Sequence, residues 1–136
     1  METGLHLETM RLMTGFGVGM GHFGDTCGAL VGGIAALGAV YGRWQTPRSP
    51  QSGREQMLGT PGLYRVFNRL PHESQERFGN TQCRVLTAVW QKNWLCREHL
   101  KFCGYLVINM AGLAAEMAVP KYLARWGSAP FAANYP

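Results

Sequence analysis

Four cysteines are the residues of this chain best equipped for chemistry: Cys27, Cys83, Cys96 and Cys103. Cys27 closes a run of alternating glycines, GFGVGMGHFGDTCG over residues 15–28, and opens an uncharged segment that reads as a tightly packed helix over residues 27–42. The spacing places Cys27 in the first helical turn, with Asp25 or Thr26 as the cap. Free N–H groups and the positive end of the helix dipole favour a thiolate there, as a nucleophile or a soft-metal ligand. Asp25 opposes that effect, and a protonated His22 would add to it. The plain alternative is a small buried thiol among glycines that serve close packing.

Cytosolic thiols are normally kept reduced, so four of them in a chain of 136 residues favour redox or metal chemistry over structural disulfides. There is no CxxC pair, which removes the thioredoxin-type site, the common zinc spacings and the c-type haem signature. Any shared thiol site must be assembled by the fold.

Other motifs carry less. Gly19, Gly21 and Gly24 formally complete GxGxxG, but no apolar strand precedes them and no acidic residue follows at the ribose-binding distance. A dinucleotide site is therefore not expected, although Gly19, Gly21, Gly24 and Gly28, with His22, still offer a nest of N–H groups or a close approach to a cluster or cofactor. His22 lies five residues before Cys27 on the same loop, with loop packing as its simpler role. His6, His72 and His99 show no spacing that marks a preformed pair of metal-binding histidines. No serine–histidine–acid or paired-carboxylate arrangement is present, so hydrolase chemistry has no support.

The elements that must position these thiols are helical. A short first helix ends near Met13, with Leu5, Leu12 and Met13 as contacts. After the 27–42 helix, residues 43–53 hold two prolines and turn residues and read as an exposed connection anchored by Trp44. A third helix starts near Pro61 and presents Leu63, Val66, Phe67 and Leu70 on one face until Pro71 breaks or restarts it. A polar turn over residues 72–78 then ends at a left-handed stop, Gly79-Asn80, and Asn80 or Thr81 caps the segment carrying Cys83. In the last long helix Cys96, Leu100, Cys103, Val107, Met110, Ala114 and Met117 form a buried stripe, opposite Glu98, Lys101, Tyr105, Asn109 and Glu116. Cys96 and Cys103 rise ~10.5 Å along such a helix, beyond the ~7 Å Cα separation a disulfide allows, unless the helix starts after Cys96. Pro120 ends it, leaving 119–136 as a loosely packed tail docked by Trp126 and Phe131. The expectation is one all-α domain over 1–136, a compact bundle of four to five helices with a glycine-rich loop before the second.

Composition bounds the setting. A net charge of +5 comes from scattered basic residues rather than a stripe, so nucleic-acid binding is not expected. The N-terminus lacks the pattern of a secretory signal, and the apolar stretches 27–42 and 103–119 fall short of the ~20 residues that cross a bilayer. Both read as buried helices of a soluble, cytoplasmic protein without a transmembrane segment.

Taken together, GFGVGMGHFGDTCGALVGG, FGNTQCRVL over 78–86 and KFCGYLV over 101–107 resemble, in order, the later cysteine segments of the C_GCAxxG_C_C family of redox-active proteins. The resemblance covers most of residues 5–118 and is most specific in the glycine run. It implies a small all-helical redox domain in which Cys27, Cys83 and Cys103 are the signature thiols and Cys96 is an extra. The family's first cysteine precedes the glycine loop, where this sequence has only 14 residues and no cysteine. Either the protein works with fewer thiols, or the sequence begins inside a longer chain. A fainter similarity, to the non-haem portion of split-Soret cytochromes, implies an iron–sulfur centre and dimerisation.

The leading expectation is a redox protein whose Cys27, Cys83 and Cys103 converge, serving an unidentified redox partner. Two mechanisms fit: a Cys27 thiolate resolved by another thiol, or an iron–sulfur cluster or other soft metal held by Cys27, Cys83, Cys96 and Cys103. The rival is a non-catalytic binding or oligomerisation module with passive thiols, such as a homodimer or a transporter accessory.

Overall fold

The structure, a computed structural model, describes residues 7–43, 45–59 and 62–126, with the side chains of residues 7 and 121–126 left aside. Its elements run α1 (Leu7–Thr14), α2 (Gly17–Met20, a single turn), α3 (Gly28–Tyr41), α4 (Pro50–Leu58), α5 (Leu63–Phe78), α6 (Cys83–Leu86, a single turn), a 3-10 turn (Ala88–Trp90) and α7 (Arg97–Trp126). Five of these helices exceed one turn, and the described residues form no strand beyond a lone antiparallel bridge between Thr26 and Gln82. The all-helical expectation holds.

Helix α3 lies along α7, and α5 closes over both. Small residues make this possible: a Cβ added to Gly33 would meet Leu70 Cδ2 at 2.7 Å and the Met110 carbonyl oxygen at 3.5 Å, so Gly33 marks the three-helix crossing. Around it Leu30, Leu37, Leu70, Met110, Leu113 and Ala114 form the buried core. Each buried leucine contributes about 1.5–3 kcal/mol relative to exposure. Tyr41 ties the far ends of α3 and α7 together, its hydroxyl donating to the Met117 carbonyl at 2.6 Å.

Several local readings are corrected. Cys27 precedes α3 as its N-cap rather than lying in the first turn, and neither Asp25 nor Thr26 caps the helix, because both are drawn into pairing with residues 82–83. The expected 43–53 connection contains the start of α4. Ser49 and Ser52 there exchange side-chain to backbone hydrogen bonds at 3.1 and 3.2 Å in a capping box, with Pro50 at the first helical position. Pro71 does not break α5, since Leu70 and Ser74 on either side are buried and hold the helix in one piece. Nor does Pro120 end α7, which runs to Trp126. Asn80 accepts from the Thr81 and Gln82 backbones at 2.9 and 2.8 Å without becoming the cap, and Gly79 is left-handed at φ 79° as expected.

In α7 the buried stripe holds at Met110 and Ala114, but shifts by one residue nearer the start of the helix. His99, Leu106, Met110, Leu113 and Ala114 are buried, while Leu100 and Val107 are more than half exposed. Leu12 of α1 is also exposed. Arg97–Pro120 is long and apolar enough to cross a membrane by length and composition, with mean hydropathy 1.5, where the sequence reading counted a shorter stretch; 22% of its apolar window is buried inside the protein. Leu5, Trp44, Pro61 and Phe131, and the side chain of Trp126, lie outside the described residues.

Candidate functional site

The glycine loop follows a left-handed path: Val18, Gly19, Met20, Gly21, His22 and Gly24 all have φ between 53° and 83°. Such a run, including a β-branched residue, persists only where its surroundings hold it. The hold comes from the Cys83 segment. Asp25 accepts from the Cys83 N–H at 2.7 Å, Gly24 from the Arg84 N–H at 2.9 Å, and Thr81 from the Cys27 N–H at 2.8 Å. Arg84 adds a side-chain bond from Nε to the Gly24 carbonyl at 3.1 Å and spreads its guanidinium over Phe23.

Three glycines are explained by this closeness. A Cβ on Gly19 would meet Cys83 Cβ at 2.6 Å, one on Gly24 would meet Arg84 Cβ at 3.1 Å, and one on Gly28 would meet the Phe16 carbonyl oxygen at 2.9 Å. A Cβ on Gly21 would make only an ordinary van der Waals contact, with the Gly15 carbonyl oxygen at 3.6 Å, so its requirement is conformational alone. His22 is exposed and stacks on Trp94, ring centroids 5.3 Å apart.

All four cysteines are free. Burial pushes the Cys83 thiol above its ordinary value; the neighbouring Cys27 adds to this, and Thr87 partly offsets it. Burial likewise raises Cys103, followed by the charges of Cys83 and then Cys27. Cys83 is 5% exposed, whereas Cys27 and Cys103 are partly open. Cys96 is placed differently. It lies just before α7, where its sulfur accepts the His99 backbone N–H at 3.5 Å, so it is the thiol that takes up a free helix N–H.

The sequence reading passed over His99. This residue is 3% exposed, its Nε2 is 3.3 Å from Cys103 Sγ, and its Nδ1 bonds the Trp94 carbonyl. The available signal was the four-residue step from His99 to Cys103, which stacks both side chains on one helix face. Among the described residues no group of three or more His, Cys, Asp and Glu side chains is arranged to hold a metal ion. Two surface depressions, one against Ile34, Tyr64 and Phe67 and one against Arg69, Glu73 and Glu116, contain no cysteine.

Fold and thiols define a small all-helical protein with free cysteines at the end of a glycine loop, in the short helix paired with that loop, and on a long helix. The chain belongs to the family described as "Putative redox-active protein (C_GCAxxG_C_C)", whose family model matches residues 1–117. No curated protein and no solved structure matches it.

Proposed function

We propose that this protein is a dithiol–disulfide carrier built on Cys27, Cys83 and Cys103. The observation that carries the reading is the backbone pairing that sets residues 24–27 against residues 81–84 and so puts Cys27 and Cys83 on facing segments, with Cys83 buried and Cys27 and Cys103 partly open. Exchange needs one sulfur that a partner can reach and a second that the partner cannot. Cys27 and Cys103 meet the first requirement and Cys83 the second. In the oxidising direction two protein thiols and one external disulfide become one protein disulfide and two external thiols, a transfer of two electrons and two protons. Burial favours the neutral thiols at rest, so the reduced protein holds its protons until a partner arrives.

The test is equilibration of the reduced protein with glutathione disulfide, followed by thiol counting and peptide mass analysis. Loss of two thiols per chain, restored by dithiothreitol, with a linked pair drawn from Cys27, Cys83 and Cys103, is the expected result. Cys83→Ser should stall at a mixed disulfide. Four titratable thiols at every ratio would end the proposal.

A second reading, an interaction module with passive thiols, draws on the exposed apolar face of α7 at Leu100, Tyr105, Val107 and Ile108. It predicts that serine at Cys27, Cys83 and Cys103 leaves partner binding intact.

A further inference from the structure

The geometry points to His99 as the residue that takes the Cys103 proton, which makes Cys103 the thiol that opens the exchange. This inference rests on the dithiol–disulfide reading and adds the base that reading lacks.

The Trp94 carbonyl can only accept, so Nδ1 of His99 carries a hydrogen. In the neutral ring Nε2 then has a free lone pair, and it faces Cys103 Sγ at 3.3 Å. Nucleophile, base and orienting group thus stand in line, with a backbone carbonyl in the orienting position. The ring has little freedom to leave this line. It packs against Trp94 and Trp90 at centroid distances of 4.2 and 5.6 Å, and its own N–H is engaged by Cys96 Sγ at 3.5 Å.

The electrostatic surroundings explain why the thiol needs such a partner. The titratable neighbours are Cys96, Cys83 and Cys27, with His22 stacked on Trp94, and burial together with Cys83 and Cys27 resists a lone thiolate at Cys103. Moving the proton to Nε2 creates an ion pair of zero net charge, which a half-buried site tolerates far better than an isolated anion. Both ring nitrogens remain bonded afterwards, Nδ1–H to the carbonyl and Nε2–H to the sulfur.

In the exchange, the Cys103 thiolate attacks one sulfur of an external disulfide, and the departing thiolate takes the proton from Nε2. Cys83 then attacks the Cys103 sulfur of the mixed disulfide, its proton leaving with the second external thiol. One external disulfide is reduced to two thiols as the protein disulfide forms.

Alkylation of the reduced full-length protein by iodoacetamide, quantified for each cysteine between pH 5 and 9, tests this. Cys103 should react at neutral pH at least about tenfold faster than in His99→Gln, whose Cys103 profile should move to higher pH, as befits a thiol raised by burial with no base beside it. Cys27 and Cys96 should keep their rates. Should His99→Gln fail to fold, nitrogen-15 shifts of the His99 ring decide instead: the reduced wild type should show the Nδ1–H tautomer, with an Nε2 shift that changes in Cys103→Ser. An unchanged Cys103 profile in folded His99→Gln, or an Nε2–H tautomer in the wild type, overturns the role of His99. Failure to form any intramolecular disulfide overturns the carrier reading instead, and the two failures are read in separate assays.

Discussion

Replacing Gly19 with alanine adds one methyl group where the glycine loop meets Cys83, and its cost can be worked out against an internal control. Two penalties combine at Gly19. Its φ of 68° costs an L side chain about 1–2 kcal/mol, and the new Cβ would stand 2.6 Å from Cys83 Cβ and 2.8 Å from the Asp25 carbonyl oxygen. These neighbours are a side-chain root and backbone, neither of which can swing aside, so overpacking adds about 1–3 kcal/mol. The total, about 2–5 kcal/mol, is a large share of the roughly 5–15 kcal/mol that stabilises a domain. Gly21 has nearly the same φ, 65°, but its added Cβ would meet nothing closer than 3.6 Å, so Gly21→Ala should cost only the conformational part, about 1–2 kcal/mol. Urea unfolding of both variants under reducing conditions measures the difference. At roughly 3–5 °C per kcal/mol, Gly19→Ala should melt several degrees below Gly21→Ala. Its loop should also separate from α6, exposing Cys83 to alkylation. Equal destabilisation of the two variants, with Cys83 still protected, would show that contact with Cys83 does not govern the loop.

Cys83 and Cys103 are both raised by burial, so between the ordinary thiol value of 9.0 and their folded values the native state holds more protons than the unfolded chain. Their contribution to stability is therefore complete below that range and lost as pH rises through it. The urea midpoint should fall from pH 7.5 to 10, and fall less in Cys83→Ala; parallel profiles would contradict the assignment. Leu70→Ala empties a fully buried site at the crossing of α5 with α3 and α7, and should cost about 2–5 kcal/mol in the same assay. Tyr41→Phe removes the bond to the Met117 carbonyl and should cost about 1 kcal/mol, while leaving thiol counts unchanged.

Much of the local design is legible in the residues. Gly79 stops α5, the glycine run bends left-handed before α3, and Cys27 and Cys83 lie where helices begin. The start of α4 was readable too, from Ser49-Pro50, but its polar composition looks like a connection. Pro71 and Pro120 mislead for a different reason: proline removes a single N–H and strains one turn, a cost that the packing of neighbouring residues can offset. In α7 the four-three spacing is satisfied by two adjacent registers. Leu106 and Val107 are both apolar, and periodicity alone does not choose between them.

By itself, then, the sequence determined the helical class, the left-handed stop at Gly79 and the inward bias of Cys103, because these follow from backbone conformations and apolar periodicity within a few residues. Only the tertiary structure decided that α3 and α5 bury Met110 and Leu113 rather than Val107, that His99 thereby turns inward beside Cys103, and that the Cys27 and Cys83 segments pair with one another. Convergence of thiols far apart in the chain depends on how helices pack side by side. That packing is settled by shape at sites such as Gly33 and Gly19, where one methyl group would keep the neighbouring segments apart.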